Sequence, residues 1–288
     1  MQKGIFRKGL VIFIIVLFVG AGLIPSMGGT VVEKIKIMDS KSGSYIQDLI
    51  DNASDGDTIN IPSGIYYENI IIDKSISLIG IDKNITIIDG GNIEDVVYIS
   101  ADEVYISGFT IQKCGIHYND YGIQISSNNN IIKENTILKN RHAIYLEGNS
   151  NIIQKNNITK SAFGIELWGN SNTILKNTIS NNSYGIYLVG RFNTIKSNAI
   201  INNSDGIFLD YAFFSIIGKN NFIGNERDTY FTNSFINRWT QNYWNESRLL
   251  PKPILGDLAI QYKIDPPDYH YYPMLHFDWR PARKTYDI

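Results

Sequence analysis

The sequence predicts an all-β fold, a single-stranded right-handed parallel β-helix of about eight coils, on three observations. First, the segments YGIQIS, HAIYLE, FGIELW, YGIYLV and DGIFLD recur with their second residues at Gly122, Ala143, Gly164, Gly185 and Gly206, a constant step of 21. Second, an Asn-rich turn follows each of the first four. Asn130, Asn151, Asn172 and Asn193 keep the same spacing, and a second column stands at Asn135, Asn156, Asn177 and Asn198. Third, the apolar residues inside a repeat alternate with period two. Ile144 and Leu146 alternate with Tyr145 and Glu147, which marks a half-buried strand. Each 21-residue unit holds three such runs separated by Gly, Asn and Ser, which is one coil of a β-helix.

The columns have a physical reading. Ile123, Ile144, Ile165, Ile186 and Ile207 are expected to stack inside the coil, beside Ile125, Leu146, Leu167, Leu188 and Leu209. Like side chains repeated at the ~4.8 Å rung spacing bury one another, which a single coil cannot achieve. The Asn columns suit turns, where Asn tolerates left-handed backbone and its amide can bond to the Asn of the next rung. The fifth repeat places its Asn at Asn220, one residue late, so a one-residue insertion is expected between Phe208 and Asn220.

An open β-helix end exposes unpaired backbone groups and needs a cap. Ser44 with Gln47 forms a capping-box pattern, and Tyr45, Ile46, Leu49 and Ile50 give an amphipathic face, so a short helix is expected over the N-terminal end. The repeat is read to stop near Asn237, where an aromatic and Pro-rich segment takes over. The expected organisation is a signal peptide over 1–30, the β-helix with its N-terminal cap over 31–236 and a C-terminal capping segment over 237–288. The leader is read from a basic start (Lys3, Arg7, Lys8), an apolar run Leu10–Ile24, then Pro25 and small residues. Fifteen residues are short of the ~20 that span a membrane. Secretion or display on the cell surface follows.

The net charge is −2, and about −5 without the three basic residues at the start. The body of the chain lacks the clustered Lys and Arg of a phosphate-binding surface, which excludes nucleic acid as an expected partner. Cys114 is the sole cysteine, so no intramolecular disulfide can form.

The stretch SYIQDLIDNASDGDTINIPSGIYYENIIIDKSISLIG, then NITIIDGG and the GIYL and NNNII repeats, resembles the NosD-type β-helix family of the wider pectin-lyase-like group. The resemblance covers roughly Ser44 to Phe231 and implies a parallel β-helix, export and contact with sugars. The group's shared module is called the carbohydrate-binding and sugar-hydrolysis domain. The family name is also tied to a copper-handling accessory role.

Two outward columns carry the candidate chemistry. One reads Gln124, Tyr145, Glu166, Tyr187 and Phe208, the other Ser126, Glu147, Trp168, Val189 and Asp210. Rings beside carboxylates on a flat face suit sugars, whose C–H faces stack on aromatics while their hydroxyls bond to acids. The expected carbohydrate-binding residues are Tyr145, Glu147, Glu166, Trp168, Tyr187, Phe208 and Asp210, with a polysaccharide or glycan as partner. The bland reading is that exposed rings follow β-propensity and stack along the ladder. A hydrolase or lyase is the alternative, with Glu147 and Glu166 as candidate acids two positions apart on neighbouring rungs, about 8 Å between Cα atoms. A structural or adhesive surface protein is the third reading. No cofactor and no metal site are expected. His117, His142, His270 and His276 do not fall in one column, and the turn His117–Asp120 offers calcium a single carboxylate and reads as a solvated turn. Six N-x-S/T triplets, at Asn52, Asn84, Asn157, Asn181, Asn202 and Asn245, are candidate glycan acceptors.

Overall fold

Runs of alternating Ile and polar residues bounded by Asn, Ser and Gly form short strands, and here nearly every strand finds its partner one coil away rather than in a hairpin. The computed structural model describes residues 44–245, 250–262 and 268–288. The leader expected over 1–30 lies outside them. Each coil supplies three strands, and equivalent strands pair in parallel into three ladders. The first ladder runs from Thr58–Ile61 to Arg238–Thr240, the second from Ile70–Ile72 to Arg227–Thr232, and the third from Gly64–Tyr66 to Tyr243–Trp244. The third holds nine strands, one more than the expected eight coils. The molecule is thus a right-handed parallel β-solenoid.

The register is the one the repeat dictates. Ile131 faces Ile152, and Ile165 faces Ile144 on one side and Ile186 on the other. Both inner columns are fully buried in one continuous apolar core. Each Ile or Leu removed from water there contributes ~1.5–3 kcal/mol. From Gly190 onward the partners are 22 apart (Gly190 with Ala212, Thr194 with Ile216). The first extra residue is accommodated at Asp210–Tyr211, where Tyr211 takes φ 47°, inside the window expected for the insertion. A second signal escaped the repeat pattern: Gly148 and Gly169 lie where coils pass closest. A Cβ at Gly169 would stand 2.0 Å from the carbonyl oxygen of Gly148.

The Asn columns are buried hydrogen-bond ladders. The backbone N–H of Asn130 donates to Oδ1 of Asn151, Asn151 to Asn172 and Asn172 to Asn193, at 2.8–2.9 Å. The second column continues through Asn198 and Asn220 to Asn242. A third, through Asn182, Asn203 and Asn225, is interrupted by Ser161 and was not read from the sequence. The left-handed residue is not the ladder Asn but the one before it. Lys155, Lys176 and Ser197 have φ of 55°, 54° and 54° and precede Asn156, Asn177 and Asn198. That leaves the Asn side chain turned inward, where its amide serves the rung above and the rung below.

Both ends carry the expected caps, and the contacts that close them differ in detail. The helix Tyr45–Asp51 forms, with Ile46 and Ile50 buried, but Ser44 makes no side-chain cap. Glu68 from the first coil accepts from the backbone N–H of Ile46 (2.9 Å) and Gln47 (3.2 Å) instead. Gln47 gives and takes one hydrogen bond with the Ile71 backbone, so its amide completes the exposed edge of the second ladder. At the other end the coil continues past the expected boundary at residue 236 and pairs up to Trp244. The cap is an antiparallel pair, Lys252–Tyr262 with Asp268–Asp278. Its buried Asp278 ends the second Asn ladder, accepting from Asn242 N (2.9 Å), Asn242 Nδ2 (3.1 Å) and Trp244 Nε1 (3.2 Å).

Replacing Asn177 by Ala removes the acceptor of Asn156 N and Nδ2 and the donor to the Ile153 carbonyl. Because these groups stay buried, a loss of ~3 kcal/mol or more is expected. The same change at exposed Asn149 should cost under ~1 kcal/mol. Urea unfolding midpoints of the two variants decide it, and equal midpoints would contradict the ladder's role.

Candidate functional site

The second ladder has the longest strands, among them His142–Glu147, Phe163–Trp168 and Tyr184–Arg191, and its outer side carries most of the predicted site residues. Tyr145 pairs with Gln124 and Glu166, Tyr187 with Glu166 and Phe208, and Phe208 with Tyr230, which extends the column by a rung. Tyr98 extends it at the other end, opposite Gln124. The rings touch: Tyr187–Phe208 centroids lie 5.4 Å apart and Phe208–Tyr230 5.7 Å. Glu147 faces Trp168 in the neighbouring column. Asp210 does not continue that column in simple register. The ladder slips between Leu188 and Gly190, and Asp210 instead accepts a 3.1 Å bond from the Tyr187 hydroxyl.

Sequence reasoning treated Glu166 as an open carboxylate. It is 6 % exposed. One oxygen lies 2.7 Å from His142 Nδ1, and the other accepts from Trp168 Nε1 at 2.9 Å. His142 is itself buried, stacked on Phe163 at 4.7 Å with Tyr118 and Tyr121 edge-on to it. The stack His142–Phe163–Tyr184 is a third column, at the start of the same strands. The sequence carried a signal for it, the first letter of each hexapeptide repeat. Trp168, 40 % exposed, is therefore held through its ring N–H while its face stays open, tilted 43° to Tyr187. Glu147 is exposed at the edge of this platform.

The electrostatics keep the phenols protonated. Burial raises the Tyr187 hydroxyl far above its ordinary value, and Asp210 adds to the effect. Burial likewise pushes Tyr121 up to about 12, with Tyr145 and Glu166 contributing. Tyr230 is held at about 12 chiefly by its hydrogen bond to Asp257. Asp210 is raised by burial despite the bond from Tyr187. At neutral pH the phenols thus stay neutral, with the Tyr187 and Tyr230 protons given to Asp210 and Asp257, and the face presents ring planes beside the carboxylates.

A groove of about 310 Å³ adjoins the upper end of the column, lined among others by Asn69, Glu94, Asp95, Tyr98, Asp120 and Gln124. Of the turn read as solvated, His117, Tyr118 and Asn119 are exposed, while Asp120 is buried and accepts from His117 N at 2.6 Å. Asp95 accepts from Tyr121 N at 2.7 Å, and burial, with repulsion from Asp120 and Glu94, pushes its carboxyl up to about 6.

Among the described residues no group of three or more His, Cys, Asp or Glu is arranged to hold a metal ion. Soft copper ligation wants thiolate, thioether or imidazole donors together. Here Cys114 is buried, His142 is committed to Glu166, and His276 is stacked on Phe231. Among the described residues the donor set does not fit copper.

A family model described as periplasmic copper-binding protein (NosD) matches residues 50–255. No curated protein matches. Among solved structures, pectate lyase Pel9A aligns at 14% identity and TM-score 0.52, covering 73% of this chain and 69% of that one. An alginate lyase from Paenibacillus sp. aligns at 12% identity and TM-score 0.45, over 70% of this chain and 85% of the other. At these identities the likeness to Pel9A is one of fold.

Asp95 gives a test. Its folded pKa lies above the unfolded carboxyl's, so the native state binds the extra proton, and stability is gained as pH falls from about 6 towards 4 and lost on the way back up. Asp95→Asn keeps the acceptor for Tyr121 N. It should flatten that slope and stabilise at pH 7 by roughly 1 kcal/mol, discounted because the carboxyl keeps partial contact with water. Thermal unfolding of both proteins between pH 4 and 8 measures it.

Proposed function

The chain belongs to the NosD family, and on that premise we propose that it is an exported, non-catalytic polysaccharide-binding protein whose site is the outer side of the second ladder. One observation carries this reading. Trp168, Tyr187, Phe208 and Tyr230 form a contiguous platform on a rigid sheet, with Tyr145 in the same column two rungs from Tyr187 and Glu147 and Asp210 beside it. From Tyr145 to Tyr230 the column spans four rung steps, ~19 Å at ~4.8 Å each, the length of a short oligosaccharide. A monomeric protein rarely leaves so continuous an aromatic stripe without use.

In this reading Trp168 and Tyr187 supply stacking planes, and Glu147 and Asp210 accept from sugar hydroxyls. Glu166 acts below the surface, fixing the tilt of Trp168 with His142 holding the carboxylate in turn. Held rings lose little freedom on binding, which is where a preformed surface gains affinity. The same burial argues against Glu166 as a hydrolytic acid, since both its oxygens are engaged. The periplasmic family and the apolar leader support export. The copper role in the family's description finds no donor set among the described residues and is not extended to this chain.

A glycan array probed with the chain from about Val31, with reducing-sugar release followed on every hit, tests the reading. Binding without release is expected, and Trp168→Ala with Tyr187→Ala together should weaken it at least tenfold while Glu147→Gln changes it little. Release that disappears in Glu147→Gln would establish an enzyme instead. No binding to any glycan would leave a structural surface role.

A further inference from the structure

We propose that the outer side of the third ladder is a binding surface for an acidic polysaccharide laid along the solenoid axis. Only the polymer's chemical class rests on the glycan-binding reading; the residues belong to a different ladder. From Thr136–Leu138 to Asn221–Ile223 the strands of this ladder, with the corner residues on either side, occupy 133–140, 154–161, 175–182, 196–203 and 218–225. All seven lysines between residues 130 and 225 fall in these segments: Lys133, Lys139, Lys155, Lys160, Lys176, Lys196 and Lys219. The single acid among them is Glu134. The intervening segments hold no lysine; they carry Arg141 and Arg191 with four carboxylates, Glu147, Glu166, Asp205 and Asp210. Along the sequence the lysines look dispersed, and the coil gathers them on one side.

The columns put like charges on neighbouring rungs. Lys155 and Lys176 precede Asn156 and Asn177 at one corner of the band, and Lys139 and Lys160 precede Asn140 and Ser161 at the other. Rungs are ~4.8 Å apart, and like charges in register repel. Glu134 answers two of the seven, reaching Lys155 at 3.3 Å and Lys133 at 3.6 Å. Lys139, Lys160, Lys176, Lys196 and Lys219 have no acid partner among the described residues. Lys139, Lys155, Lys160, Lys176 and Lys219 also hold left-handed backbone, at φ of 54° to 58°, a conformation that favours glycine or asparagine. A polyanion crossing the rungs would relieve the repulsion, and release of its counterions adds to the gain.

The surface between the lysines specifies the polymer. Thr136, Asn157 and Thr178 stand in register on it, with Thr159 and Ser180 beside them, the Ser180 hydroxyl 3.3 Å from that of Thr159. Hydroxyl and amide groups of this kind both give to and accept from sugar hydroxyls. At the corner that carries Lys160 a groove of about 380 Å³ continues the strip. It is lined among others by Ser161, Asn181, Ser183, Asn202 and Ser204, with Glu226 at its far end. None of the exposed large apolar side chains lies in the band, where a membrane-seated surface would want them for anchoring. From Lys133 to Lys219 the band spans four rung steps, ~19 Å. Ammonium groups repeated along that length suit a polymer that repeats its acid groups.

Polygalacturonate and its fully methyl-esterified form are the probes, because they share a backbone and differ in charge. Titration calorimetry on the full chain should show the acid polymer bound at least ~tenfold more tightly, with affinity falling steeply between about 50 and 200 mM salt. Lys155→Gln, Lys176→Gln and Lys219→Gln together should weaken acid binding at least ~tenfold and flatten the salt dependence, while Arg at the same three positions keeps both. Glu134→Gln should tighten acid binding, a gain that no misfolded protein would show. Equal affinity for the two polymers, or a Gln variant that binds like the parent, overturns the band. Loss of acid binding in Trp168→Ala with Tyr187→Ala, and not in the lysine variant, assigns the polymer to the second ladder instead. Loss in the lysine variant alone upholds the band and leaves the aromatic face without this ligand. Tighter binding to duplex DNA or to phosphatidylglycerol vesicles than to polygalacturonate overturns the choice of a sugar polymer. Silence of all four probes overturns the band outright, while neutral hits on the glycan array would still uphold the aromatic face.

Discussion

Everything in this molecule depends on the rung-to-rung asparagine bond. A parallel coil cannot satisfy its corner backbone groups within its own turn, because the strands leave each corner in different directions. The buried Asn supplies the missing partners: its Oδ1 takes the backbone N–H of the rung before, and its Nδ2 reaches a carbonyl of that preceding coil. That arrangement requires the same residue at the same place in successive coils, hence the fixed repeat length. It also requires a left-handed residue just ahead of each Asn, which Lys155 and Lys176 accept at modest cost because their long side chains remain in water.

A ladder of this kind has a sense. In the second column every Oδ1 points to the preceding rung, and the last acceptor is a carboxylate, Asp278. On the outside a shorter ladder runs the opposite way, from Arg191 N to Asn170 and from Asn170 N to Asn149. At the helical end the closure is done by Glu68 and Gln47, both of which pair with backbone rather than with another amide column. The two ends are chemically distinct, and each is closed by a charged or amide side chain instead of an apolar plug alone.

Much of this was legible in the residues, because a constant step leaves its mark on every column. The inner Ile and Leu stacks, the outward alignment of Tyr145, Glu166 and Tyr187, and the extra residue near Tyr211 could all be read by counting. What could not be read depends on contacts between rungs that the count does not order. Glu166 looks open in its column, and only the neighbouring rung's His142 and its own strand's Trp168 close over it. Ser44 and Gln47 match a capping box, yet a carboxylate two turns of chain away does the capping. The third Asn column was hidden by Ser161, and the first coils by their unequal lengths, with Tyr105 lying 28 residues beyond its partner Ser77 but 26 short of Ile131. The acidic groove escaped for the same reason, since Asp95 and Asp120 belong to two successive irregular coils.

The interchangeable coils carry one more consequence. Residues 121–204 consist of units that present the same amide edge upward and accept the same edge below, so whole units could be lost or duplicated without disturbing their neighbours. Such an event would change the distance between the acidic groove and the C-terminal cap only in whole steps of ~4.8 Å. Evolution of this protein's reach is therefore digital: the chain can be made longer or shorter by a count of coils, while intermediate spacings stay closed to it.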